Sequence, residues 1–156
     1  MNNESNDHPD VIAFPLLIFA SNAVLAAAAH WMFPLRPFAA FPSRIAGAGL
    51  ALLAGGLALW AGRTMGKVGT NVRPDWPTLA IAAVGPYAFT RNPMYVSLCA
   101  LQLGIGLLLH GVLPVLFVVP LALVLHFGVV KREERYLAAK FGENYLAYQR
   151  RVRRWF

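Results

Sequence analysis

The chain has 156 residues, of which 58% are hydrophobic and only 13% charged, with a formal net charge of +7. The length suits one domain, residues 1–156, but a mean hydropathy of +0.52 does not describe a soluble one, and the bilayer is the expected solvent. A pI near 10.2 raises the question of nucleic acid, yet the basic residues follow the ends of apolar runs, so no nucleic-acid partner is expected.

In chain order, residues 1–10 carry Glu4, Asp7 and Asp10 and no Lys or Arg. Without the basic leader of a cleavable signal, the first apolar run, 11–32, is expected to be retained as a span, joined by a loop to about residue 43. A second run covers 45–62. The longest polar segment, 63–91, follows, rich in the turn formers Gly66, Gly69, Pro74, Pro77, Gly85 and Pro86. It contains no Walker-type or G-x-G-x-x-G pattern after a strand, which excludes a Rossmann domain as a nucleotide site.

The segment ends in GPYAFTRNPMY, residues 85–95. Gly85-Pro86 is turn chemistry, and Asn92-Pro93 is a helix start in which Asn92 can cap and Pro93 has its φ preset. This start opens the third run, 94–110, near the short limit for a span. Arg91 beside the free N–H groups near Met94 and Tyr95 makes an anion pocket flanked by Tyr87, Phe89 and Tyr95. Singly, these features read as a cap, a basic residue at the membrane face and an interfacial aromatic belt. Their concentration in eleven residues argues for a site.

His110-Gly111 forms a tight turn into the fourth run, 112–130, where Pro114 and Pro120 can kink the helix. His126 is expected to be satisfied by a neighbouring helix. Gly47, Gly49, Gly55, Gly56, Gly62, Gly104 and Gly106 allow helices to approach closely. Cys99 is a packing residue, and the scattered histidines leave no metal-ligand spacing, so no metal is expected.

Beyond the fourth run stands KREERYLAAKFGENYLAYQRRV, residues 131–152. Glu133, Leu137 and Phe141 share one helical face, and the antiparallel hairpin of runs three and four brings Glu133 and Glu134 level with Arg91 and Asn92. The plain alternative is that both glutamates pair with Lys131, Arg132 and Arg135 on a solvated helix. The tail RRVRRWF reads as a basic aromatic segment on an anionic leaflet, with Trp155 and Phe156 dipping into the headgroups. Arg63, Lys67, Arg73 and Arg91 in the loop, with eight basic residues after residue 130, outweigh Arg36 and Arg44, so loop, tail and both termini are expected in the cytoplasm.

GPYAFTRNPMY followed, after one apolar hairpin, by REERYLAAKFGENYLAYQRRV resembles the isoprenylcysteine carboxyl methyltransferase family, specifically its short bacterial members, over residues 62–154. The related membrane phospholipid N-methyltransferases share NPMY and the paired glutamates. The resemblance implies an all-α integral membrane fold: about four transmembrane helices, with a cytoplasmic loop and a C-terminal amphipathic helix enclosing a cofactor pocket. It implies a methyltransferase dependent on S-adenosylmethionine, in a bacterial inner membrane. Carried over, Ile81, Gly85, Pro86 and Tyr87 border the adenosine, Arg91, Asn92, Pro93 and Tyr95 line the methionyl end, Glu133 and Glu134 hold polar groups of the cofactor, and Leu137 packs beneath it. Arg91, Glu133 and Glu134 are the implied catalytic residues. Many members have histidine where Asn92 and Leu79 stand here, so no proton shuttle is available at those two positions.

Methyl transfer from a sulfonium rests on holding nucleophile and methyl in line. A prenylcysteine carboxylate needs an anion site, which Arg91 and the helix N-terminus would supply. A protonated amine headgroup needs a base, for which Glu133, Glu134 or His126 would serve. Arg91 tilts the sequence toward a carboxylate on a lipidated or other lipophilic acceptor arriving from the bilayer. The alternatives are a phospholipid amine N-methyltransferase, a non-catalytic lipid-binding scaffold and, more weakly, a transporter.

Overall fold

The computed structural model describes residues 8–71 and 76–155. Glu4, Asp7, Arg73, Pro74 and Phe156 lie outside them. Helices dominate the described residues, which hold no β-strand and a single β-bridge between Thr90 and Arg153.

Helix α1 (Pro15–Met32) starts with proline at its first position and stops at Phe33, which Pro34 forces toward extended backbone. Helix α2 (Ala40–Val68) outruns the expected 45–62 at both ends. Its charged ends need not leave the helix, because long side chains reach water while the backbone stays hydrogen-bonded. Twenty-nine residues span about 43 Å, more than the roughly 30 Å hydrocarbon core. α2 ends on Gly69 at φ 76°, with the Thr70 N–H reaching back to the Met65 carbonyl at 3.1 Å.

Helix α3 (Pro93–Leu108) begins at Asn92-Pro93 as the sequence requires. Its length of 16 residues falls short of a full crossing, and it packs along α2. Gly47 and Gly104 face each other there: a Cβ on Gly47 would sit 2.7 Å from the Gly104 carbonyl oxygen. Gly49, Gly55, Gly56 and Gly62 open onto free space instead.

After the His110 turn, at φ 52°, the fourth run is continuously helical but irregular. Helix α4 (Val112–Leu116) and helix α5 (Val118–Leu125) meet at Phe117, where Pro120 removes a backbone donor and Gln102 of α3 takes the Pro114 carbonyl at 2.9 Å. A π turn, His126–Val130, leads into helix α6 (Lys131–Phe141). Gly142, at φ 53° and ψ −130°, separates α6 from helix α7 (Glu143–Arg151), so the expected single C-terminal helix is two.

Three helices, Pro15–Met32, Ala40–Val68 and Val112–Phe141, are long and apolar enough to cross a membrane, with α3 the shorter apolar companion. Leu16, Leu17, Leu52, Leu53, Val119 and Leu123 face outward, as helices with apolar outer surfaces do in lipid. The apolar part of the last helix ends at Val130. The charged stretch Lys131–Phe141 continues beyond it, and there the polar loop, α6, α7 and the tail gather around a partly open cavity.

Candidate active site

Four segments build this cavity. The start of α3 brings Arg91, Asn92, Pro93, Met94 and Tyr95. The first turns of α6 bring Glu133, Glu134, Tyr136 and Leu137. The loop after α2 supplies Asn71, Thr78, Ala80, Ile81 and Ala82, and it is stapled in place by hydrogen bonds. Thr70 Oγ1 accepts from the Leu79 and Ala80 N–H groups at 3.0 and 3.3 Å, and the Thr78 N–H donates to the Tyr136 hydroxyl at 3.3 Å. Leu79 thus contributes its backbone, while its side chain is exposed. Helix α7 adds Tyr145 and Tyr148, and the Tyr148 hydroxyl donates to the Tyr87 carbonyl at 2.7 Å.

Nine of the eleven residues singled out in the sequence border this one cavity: Ile81, Tyr87, Arg91, Asn92, Pro93, Tyr95, Glu133, Glu134 and Leu137. Gly85 and Pro86 do not. Gly85 holds φ 59° and packs on α2, where a Cβ would lie 2.9 Å from Thr64 Oγ1, and Pro86 is buried at the head of the turn Gly85–Ala88. Their part is to aim Tyr87.

The two glutamates occupy different environments. Glu134 is buried and receives two guanidiniums: Arg91 at 3.2 Å, and Arg154 through Nε at 3.0 Å and Nη2 at 2.7 Å. The paired arrangement of Arg154 is the planar fork that suits a carboxylate. Glu133 instead receives the Tyr95 hydroxyl at 2.5 Å. Burial pushes the Glu133 carboxyl up to about 7, with the Glu134 charge adding to the rise and the Tyr95 bond opposing it. Glu134 is therefore paired with two cations, while Glu133 is bonded to a tyrosine hydroxyl and its carboxyl is raised toward neutral pH.

Arg154 was not singled out in the sequence, and the tail that carries it departs from the expected surface segment. Residues 152–155 fold inward. Val152 is buried with Tyr145 and Tyr148, and the Arg153 carbonyl accepts the Arg91 N–H at 2.9 Å. The Arg154 carbonyl accepts Thr90 Oγ1 at 3.1 Å and Asn92 Nδ2 at 2.9 Å. Asn92 consequently precedes α3 without a side-chain cap, and the N–H groups of Tyr95 and Val96 return to its own carbonyl. Trp155 Nε1 donates to His126 Nδ1 at 3.2 Å, so the partner of His126 comes from the tail rather than from a neighbouring helix. The signal for this path was present in RRVRRWF: a buried carboxylate on a membrane-edge helix calls for cations, and four arginines stand within reach of the chain end.

The Nε of Arg91 is buried without a hydrogen-bond partner among the described residues. A cavity holding this free donor, two carboxyl groups in different environments and five tyrosines can bind a polar zwitterion together with an aromatic base.

Comparisons with known proteins identify the family. A family model described as phospholipid methyltransferase matches residues 42–144, about two thirds of the chain. An uncharacterized protein of Haemophilus influenzae is 42% identical over 62 residues, covering 40% of this chain and 98% of that one. No solved structure matches. The chain belongs to the phospholipid methyltransferase family and is, on that ground, a membrane methyltransferase.

Proposed function

We propose that the protein transfers a methyl group from S-adenosylmethionine to a lipophilic acceptor that loses a proton in the reaction, an amine headgroup being the class that fits best. The observation that carries this reading is the division of labour between the glutamates. Both guanidiniums are committed to Glu134, while Glu133, bonded to Tyr95 and pushed up to about 7, is free to take a proton. The residues present fit the cofactor. Arg91 Nε suits a carboxylate, the carboxylates suit an ammonium and a sulfonium, and the rings of Tyr87 and Tyr145 suit adenine. When bound, the cofactor supplies an electrophilic methyl group and leaves as a neutral thioether.

The chain's own residues do the rest. Glu133 accepts the proton of the ammonium, which desolvation in the cavity has already made more acidic, and the amine lone pair is thereby released toward the methyl. Tyr95 holds the carboxyl in position. The cavity lies where the apolar helices end, so an acceptor can present its headgroup while its chains stay in lipid. The basic residues flanking this end, among them Arg63, Lys67, Lys131, Arg132 and Arg135, support a cytoplasmic site. A second reading, methylation of a lipidated carboxylate, is favoured by the unpartnered Arg91 Nε alone.

The test is calorimetric titration with S-adenosylhomocysteine, followed by methyl-labelled S-adenosylmethionine in nanodiscs of phosphatidylethanolamine or of phosphatidylglycerol. Saturable binding and label in the ethanolamine lipid, lost in Glu133→Gln, are expected. Binding with label only in a prenylcysteine peptide would select the carboxylate reading. A folded protein that does not bind would end the methyltransferase assignment to this cavity.

A further inference from the structure

Residues 9–12 lie against the π turn, and one of them reaches the cavity. Pro9 is buried and borders it, and Val11 packs on the cluster of Leu121, Leu125 and Val129. The Ile12 N–H donates to the Gly128 carbonyl at 3.2 Å. The approach is close: a Cβ on Gly128 would lie 2.7 Å from Ile12 Cγ1 and nearer still to Cδ1, so the Ile12 side chain would have to shift. Arg132 Nη1 also donates to the Asp10 carbonyl at 2.9 Å, and its exposed pairing with the Asp10 carboxylate adds little.

A π turn carries one residue more than an α turn, so every side chain after it is rotated by about 100° relative to an uninterrupted helix. Glu133 stands on the first turn after it. From this close seat of the N-terminal strap on the π turn, the geometry points to Ile12 and Gly128 as positioning residues that fix the wall beside Glu133 and the phase at which α6 presents it to Tyr95. Ile12 and Pro9 lie outside the residues 42–144 that the family model matches. The catalytic meaning of Glu133 rests on the function proposed above, but its geometry does not.

A double-variant cycle tests this with two readouts. Infrared pH titration of the Glu133 carboxyl in the unliganded protein, assigned by its loss in Glu133→Gln, reports the environment set by Tyr95, Tyr87 and Glu134 without any cofactor. Affinity for S-adenosylhomocysteine reports the assembled cavity. Gly128→Ala drives Ile12 off its seat although alanine is the better helix former. It is expected to move the Glu133 titration and to weaken binding tenfold or more. Ile12→Ala in the same chain removes the clashing atoms and should recover most of both losses. An unmoved titration in Gly128→Ala, or a double variant as defective as Gly128→Ala, would overturn the proposal. A wild type that fails to bind S-adenosylhomocysteine while its titration follows the cycle would sustain the positioning role and defeat the methyltransferase reading alone.

Discussion

Glu133 and Glu134 are adjacent in sequence and differ in their partners. The motif made both visible, but their assignment depends on two cations arriving from residues 91 and 154. A pH prediction follows from Glu133. Because its carboxyl is raised from 4.5 to about 7 in the folded protein, the uncharged form is the one folding favours. Its contribution to stability is intact below about pH 4.5 and declines as pH rises toward 7. On the proposed function activity runs the other way, since the proposed base must be ionised. Thermal unfolding of the wild type should therefore weaken from about pH 5 to pH 8 while the methylation rate rises around 7. Glu133→Gln should flatten the stability slope and lower the rate by about 10²- to 10⁴-fold. A variant that kept the wild-type slope would show that another group titrates.

Among the elements, helix starts were the most legible, because proline at the first position acts locally, as Pro93 does for α3. Helix ends were less so: α2 runs past Arg44 and Arg63, whose charges say where water is and not where the helix stops. The tail reads in sequence as a surface segment and folds otherwise, since alternating arginine and aromatic residues serve a lipid surface and a buried carboxylate equally well. Its folding inward predicts that deleting residues 153–156 removes the Arg154 carbonyl that Asn92 bonds and one of the two cations on Glu134 together. S-adenosylhomocysteine binding should be lost, with helical circular dichroism preserved. Retained affinity in the truncated chain would return the tail to the membrane surface.

Over the whole molecule, the cavity is held at the end of a helical scaffold whose α2 and α3 meet closely far along it, at Gly47 and Gly104. Gly47→Ala places a Cβ against backbone atoms of Gly104 and Leu108, which cannot move without separating the helices. A loss of about 1–3 kcal/mol is expected from such overpacking, read as a lower unfolding midpoint. Gly55→Ala meets nothing within 4 Å and serves as the control, expected to be near neutral or slightly stabilising. Equal midpoints for the two variants would mean that the helices do not depend on this approach.

The sequence by itself determined the membrane class, the apolar runs and the start of α3, because hydropathy, proline geometry and a hairpin between neighbouring runs are local properties, and its family resemblance pointed to nine of the residues that converge on the cavity. Only the tertiary structure decided which glutamate is paired with two cations and which is bonded to Tyr95. That choice depends on a π turn that sets the phase of α6, on a strap seated against Gly128 and on a tail that folds back 62 residues onto Asn92. Each of these is a contact between distant segments, and periodicity along the chain carries no information about them.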